Sequence, residues 1–413
     1  MRQFFIFIIT AFGIAIFDLI DSAFGNNLGI DSICVLSAFT IIGWCAYVLG
    51  NLGKYAYDIR QKNFSECLLL QLLSSSVTSI FILVFCNKLP YIYHLTDRQY
   101  ILFSKCLLYL GLALPIKQIA NFCENYIALQ CKNRTLIISN VIFYALMIGL
   151  DLLVVIMGGK CYHLIITTNI SYTVLFIYLC FAEKLWRQLN KIDKKALKEC
   201  CLDAKDIMID RCLGKVATVV FNILASYLGT ELYALHGIGY AIATSSEEIT
   251  DVWYRYQIVR LHGIEDKKDK HKTYLKIRKQ TFLPCVALCY ILLLCLIIPM
   301  HGETNLLQAF IVSCLYMAQS ILLCIYENAR GFLTSIEETK VLRYGGLIGI
   351  LIRVPWSFIS IFTPLGIVGF AFGSGIDFFI RGLYYNRECT KSVKKWEQTQ
   401  VKSFEHSNVK VVA

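Results

Sequence analysis

The sequence predicts an all-α polytopic membrane protein. About twelve transmembrane helices form two parallel six-helix bundles related by pseudo-two-fold symmetry. Three observations carry this reading. The 413 residues are 57% hydrophobic and only 17% charged, with a mean hydropathy of +0.58. Apolar runs of about 18–25 residues, the length a bilayer demands, recur along the whole chain. Short motifs also return in the same order after about 200 residues, the weak internal symmetry of transporters. Barrel strands would be shorter and would alternate.

In order, the spans fall at 3–23, 30–53, 66–86, 101–129, 135–157, 162–183, 212–229, 231–258, 281–299, 305–328, 341–362 and 365–386. The first could pass for a signal peptide, but it ends in acids and more spans follow, so it is read as uncleaved. The net charge of +11 sits in loops, which excludes nucleic acid as its reason. Loops after even-numbered spans are basic, such as "KYAYDIRQK" and "EKLWRQLNKIDKKALKE". Loops after odd-numbered spans, such as "GNNLG" and "TPLG", are poor in Lys and Arg. The positive-inside rule then places both termini in the cytoplasm.

The chain divides into an N-terminal bundle (1–183), a cytoplasmic amphipathic linker (184–211), a C-terminal bundle (212–386) and a basic cytoplasmic tail (387–413). In the linker, Leu185, Leu189, Ile192, Ala196 and Leu197 recur at helical spacing among lysines, which predicts a helix on the inner leaflet. The 18 cysteines are scattered without a CxxC pair and read as apolar filler. Six spans per half is even, so the halves enter the membrane in the same sense. Leu28-Gly29 recurs as Leu228-Gly229, Gln118 as Gln319, and Glu124-Asn125 as Glu327-Asn328.

Charged residues inside spans are costly and mark function or pairing. Asp18 and Asp21 lie three apart on one face at the end of span one, and Asp151 lies in span five. Desolvation disfavours a charged carboxylate, so such an Asp can exchange a proton near neutral pH, and two facing carboxylates can share a cation. In span eight, Glu248, Asp251 and Arg255 share a face, Glu247 is one turn from Asp251, and Trp253 and Tyr254 are interleaved. This is read as an acidic, aromatic cleft wall for a cationic substrate, or else as an internal Asp251–Arg255 salt bridge. Lys117, Asn121 and Glu124 form a polar face in span four, read as a structural network, and Arg353 beside Pro355 is read as a bundle-packing charge, or else as a partner for an acid.

Several stretches together resemble the multidrug and toxic compound extrusion (MATE) family, within the multidrug/oligosaccharidyl-lipid/polysaccharide flippase superfamily. They are "LIDSAFGNNLG", "LASYLGTELYALHGIGYAI", "LGLALPIKQIANFCENYIALQCKNRT" and the closing "IRVPWSFISIFTPLGIVGFAFGSGIDFFIRGLYYNRECTKSVKKW". The resemblance implies a secondary antiporter, not an enzyme and without a bound cofactor. It would export cationic or amphipathic small molecules in exchange for protons or sodium, by alternating access. It implies a monomer in the prokaryotic plasma membrane whose partners are the substrate and lipid. It also implies that Asp21 and Asp151, joined by Thr168 or its neighbour Thr167, form the coupling site, with sodium, if used, at Asp21 and Asp151. Span eight would line the cleft. Where the family commonly has an Asn, four residues before the second Asp, this chain has Met147. The alternatives are a lipid-linked saccharide flippase, which would want a strongly basic cleft, and a membrane-embedded acyltransferase or polymerase, which would want a catalytic set on a long external loop.

Overall fold

The computed structural model describes residues 19–20, 23–93, 95–300 and 304–412, and for residues 30, 230, 246, 248, 252, 292, 296, 299 and 397–412 the backbone only. Among the described residues, twelve helices follow one another: α1 Ile30–Gly50, α2 Leu52–Arg60, α3 Phe64–Phe85, α4 Asp97–Leu129, α5 Asn133–Ile156, α6 Cys161–Glu183, α7 Lys194–Ser226, α8 Thr230–His262, α9 Lys267–Met300, α10 Leu306–Ser335, α11 Thr339–Phe362 and α12 Gly366–Val412; most of the expected first span, 3–23, lies outside the described residues. Among the described residues, nine of them are long and apolar enough to cross a membrane. Helices α7 and α8, each 33 residues long, are not among the nine.

The helices begin where the sequence supplies caps. Thr96 and Gln99 form a capping box ahead of α4, and the side chains of Asp193 and Asn305 accept from the first backbone amides of α7 and α10. The repeated Leu-Gly pairs have one geometric job. Gly29 (φ 101°) and Gly229 (φ 93°) precede α1 and α8 in a left-handed conformation that costs glycine least. Pro115 interrupts nothing visible in α4. It leaves the Gly111 carbonyl without its helical donor, and Ser79 Oγ on α3 donates to that oxygen at 2.5 Å. At Gly53 a Cβ would stand 2.0 Å from the Cys67 carbonyl oxygen, so glycine lets α2 lie against α3.

Helices α1–α6 pack among themselves, and α7–α12 do likewise. The two halves meet chiefly through α1 and α2 against α7 and α8. Several helices run past the expected spans on the face where the basic segments gather. Most of the expected loops "KYAYDIRQK" and "HGIEDKKDKHKTYLKIRKQ" is helical, residues 54–60 in α2 and 267–280 in α9, and the tail continues α12. Contacts between these ends, such as Arg278 Nη1 to Asn386 Oδ1 at 2.8 Å and Lys132 Nζ to Glu183 Oε2 at 2.6 Å, tie that basic face together.

The linker differs from its expectation. Residues 185–188 form a 3-10 turn, 189–193 are irregular, and from Lys194 the chain is already α7. No single amphipathic helix presents Leu185, Leu189, Ile192 and Leu197 together. Leu185 is buried and Leu197 packs against a core cluster to which both halves contribute, whereas Leu189 and Ile192 are exposed. The cause is competition for backbone groups. The amides of Asn190 and Asp193 donate to Ser65 Oγ and Glu66 Oε1 at the start of α3, at 2.7 and 2.9 Å, instead of closing a helical turn.

The second half encloses a dry ionic centre. Asp377 receives Nε and Nη2 of Arg381, both at 2.6 Å, and Nη2 of Arg353 at 2.8 Å; all three side chains are at most 5% exposed. Arg381 Nη1 donates to the Tyr326 hydroxyl and Arg353 Nη1 to Thr218 Oγ1. Of the two readings of Arg353, the pairing with an acid is the one seen, and the acid is Asp377. Removing one partner of such a buried group strands the rest. Asp377→Ala is expected to cost on the order of 3–5 kcal/mol, seen as a large fall in the melting midpoint in detergent. Asp377→Ala combined with Arg353→Met and Arg381→Met is expected to recover much of it.

Candidate functional site

A cavity of about 450 Å³ lies between the two halves. It is built from α1, α2 and α4–α6 on one side and α7, α8 and α10 on the other. Among the described residues, its wall holds the cations Lys54, Lys117, Arg211, Lys215 and Arg255 and the acids Asp58, Glu124, Glu247, Asp251 and Glu327. Trp44, Tyr47, Tyr144, Tyr172, Tyr240 and Tyr254 supply ring faces between them. The repeated Glu124 and Glu327 both reach this cavity, one from each half.

Helical phase explains which side chains arrive. On α8, Glu247, Asp251, Tyr254 and Arg255 recur at intervals of three and four and face the cavity. Trp253 is 0% exposed and packs in the core against Phe282, so it is not a cleft residue; Tyr254 takes that place. The side chain of Glu248 lies outside the described residues. The acidic wall expected here is neutralised from α7. Arg211 Nη2 meets Asp251 Oδ1 at 3.1 Å, Arg255 Nη2 meets Asp251 Oδ2 at 2.9 Å, and Lys215 Nζ meets Glu247 Oε2 at 3.5 Å. Lys215 also sits 4.3 Å from the Trp44 ring centre across the interface between the halves. Glu327 is held by Arg330 at 3.0 Å, and Arg330 reaches Asp210 at 3.2 Å.

The first half contributes its own charges. Asn125 Nδ2 donates to Asp58 Oδ1 at 2.8 Å. Lys117 is 3% exposed, lies 5.3 Å from the Tyr172 ring centre and donates to the Tyr47 hydroxyl. Lys54 stands in the field of Asp251, Arg255 and Arg211 from the other half. Lys117, Asn121 and Glu124, read in the sequence as a structural network, all line the cavity. Lys54, Asp58 and Arg211 escape sequence reading because they fall in stretches assigned to loop and linker, and Lys215, at the start of span seven, is not singled out there. Their signal is spacing: Lys54/Asp58 and Arg211/Lys215 are each one helical turn apart.

Polar contacts bracket the cavity. At the face opposite the basic one, Asn26 Nδ2 donates to the Met300 carbonyl at 2.9 Å, and α1 approaches α8 so closely at Gly237 that a Cβ there would stand 3.5 Å from that of Ser37. At the basic face, Arg60 of α2 holds Asp203 and Glu199 of α7 at 2.6 and 3.1 Å.

Asp18 and Asp21 lie outside the described residues. Asp151 is 0% exposed in the core of the first half, and Thr167 Oγ1 donates to its Oδ1. The threonine beside Asp151 is therefore Thr167 and not Thr168. One residue further on turns the side chain by about 100°, so Thr168 lines the cavity and donates to the Leu164 carbonyl at 2.7 Å. Met147, one turn before Asp151, is 2% exposed among Tyr144, Phe143 and Leu175.

Thr167→Val removes a donor from a fully buried carboxylate and is expected to cost about 1–3 kcal/mol. Thr168→Val, which removes only a hydroxyl returning to its own helix, is expected to stay within about 0.5 kcal/mol. Thermal unfolding of the two variants in detergent checks the contrast.

No family model matches the sequence, and no curated protein matches it significantly. Solved structures do. One is described as the inward-facing conformation of a multidrug resistance MATE family transporter of the MOP superfamily; it is 14% identical, with 93% of this chain and 95% of that chain covered and a TM-score of 0.72. An outward-facing conformation of such a transporter is 16% identical over 95% and 96% of the two chains, with a TM-score of 0.74. A MOP superfamily transporter from Pyrococcus furiosus, described as having a binding pocket of reverse polarity, is 15% identical over 95% and 96%, with a TM-score of 0.70. Over nearly its whole length, the chain has the fold of MATE transporters.

Proposed function

We propose that this protein is a secondary active transporter that moves amphipathic small molecules, including cationic and zwitterionic ones, across the membrane by alternating access. The observation that carries this reading is the cavity between the halves, lined by ionic and aromatic side chains from both. A site assembled from two bundles opens to one side or the other as the bundles rock, which is the general logic of repeat-built transporters. The mixed lining supports a substrate that carries an apolar body together with charge. Glu247 and Asp251, the α8 acids that line the cavity, already have cations from α7 or α8, so a free cation would compete with Arg211, Arg255 and Lys215 for them. A dipolar solute satisfies both signs at once.

The coupling ion in this reading is a proton, carried by Asp151 with Asp21 as its partner. Asp151 is fully buried and hydrogen-bonded by Thr167, and Met147 one turn away offers sulfur where a sodium ion needs oxygen. Both termini then face the cytoplasm, following the basic face.

The first test uses purified protein in liposomes holding a fluorescent amphipathic dye, under an imposed proton gradient and then a sodium gradient. Dye movement is expected with the proton gradient and is expected to fall at least tenfold in Asp151→Asn and in Asp21→Asn. Coupling to sodium alone, or unchanged coupling in both variants, would overturn the assignment. The second test concerns alternating access. Ser37→Cys with Gly237→Cys places two Cβ atoms about 3.5 Å apart across the halves, within disulfide range. Oxidation, verified by peptide mass spectrometry, is expected to abolish transport, and dithiothreitol to restore it. Full transport with the cross-link in place would rule out a rocking motion at this interface.

A further inference from the structure

The segment from the end of α6 to the first turn of α7 is absorbed by neither the cavity nor the ionic centre. Trp186, Leu189 and Ile192 are 48%, 53% and 45% exposed. The Trp186 ring lies 5.6 Å from that of Phe181, which is itself exposed on the last turn of α6. Lys191, Lys194, Lys195 and Lys198 surround these apolar side chains and are all exposed, and none has an ion-pair partner among the described residues. The nearby acids are occupied elsewhere. Glu183 holds Lys132 and Thr135, Glu199 and Asp203 hold Arg60, and an Asp193 oxygen caps the backbone of Lys195. The result is a cluster of uncompensated lysines around protruding apolar side chains, next to the end of a membrane-spanning helix.

We propose that this segment is a docking surface for anionic phospholipid headgroups of the leaflet at the basic face. The lysines meet phosphate and carboxylate charge, while Trp186, Leu189 and Ile192 enter the boundary between headgroup and acyl chain. Charge complementarity selects this occupant, because a solvated loop has no use for three large apolar side chains held outside the core. Lipid held here bears on both halves. The segment is fixed to α3 through Ser65 and Glu66, and it continues into α7, whose Asp206 meets Arg343 of α11 at 3.2 Å.

The test is thermal unfolding of the full chain in detergent, with added phosphatidylcholine or with added phosphatidylglycerol. The wild type is expected to melt higher with phosphatidylglycerol, and this shift is expected to shrink in high salt. The shift is expected to vanish in Lys191→Gln/Lys194→Gln/Lys195→Gln. It is expected to persist in Lys272→Gln/Lys276→Gln/Lys279→Gln, which removes equal charge from α9. Equal melting of all three proteins with phosphatidylcholine verifies that the variants are folded. A shift that survives in the linker variant, or its absence from the wild type, would overturn the proposal. Because no transport is measured, the result stands apart from that of the proposed function.

Discussion

Charge taken out of water has to be met by opposite charge or by hydrogen-bond donors, and this requirement organises the interior of the protein. In the second half, Asp377 collects Arg353 and Arg381 from α11 and α12, while Arg330 joins Glu327 and Asp210 from α10 and α7. These contacts determine which helix faces turn inward, since any other rotation would leave a guanidinium in lipid. The second half is therefore keyed by its ions, and its wall toward the cavity follows from that keying.

The first half is organised differently. Its interior is held by amides and hydroxyls: Gln71 bridges Asn51 and Gln118, Asn125 serves Asp58, and Ser79 covers the carbonyl released by Pro115. Asp151 with Thr167 is its most deeply buried ionisable site among the described residues. One half with a hydrogen-bonded carboxylate and another with closed ion pairs divides labour in a way that suits a carrier. In the proposed function, the carboxylate would change protonation without stranding an arginine, and the paired centre would keep its geometry as the halves rock.

The cavity joins these two chemistries. Its basic end combines Lys54 with the Arg211–Asp251–Arg255 group, and Arg60 of α2 grips α7 nearby. Its opposite end is narrowed by α1 against α8, where Gly237 permits close approach. Helix α7 is common to everything, because it leaves the linker, crosses beneath the first half, pairs with α8 and supplies Asp210 to the second half's interior. A rearrangement of the halves has to be carried through that helix.

Much of this was legible in the sequence because the bilayer permits few solutions. Apolar runs of fixed length marked the membrane-long helices, while loop charge and a repeat of about 200 residues supply the expectation of their sense and of their division into halves. Gly29 and Gly229 could be matched, and they share one backbone conformation. The site was only partly legible. Local spacing found the α8 charges, since one helix face is a local property, and the family resemblance pointed to Asp151. Neither found that Arg211 and Lys215 neutralise that face, that Thr167 and not Thr168 serves Asp151, or that Trp253 points into the core. Those outcomes depend on how one helix is rotated against another. That rotation is decided by packing and ion pairing between residues far apart in the chain, and no local pattern encodes it. The linker shows the same limit. Its spacing promised one amphipathic helix, but Ser65 and Glu66, more than a hundred residues earlier, captured the amides that such a helix needed.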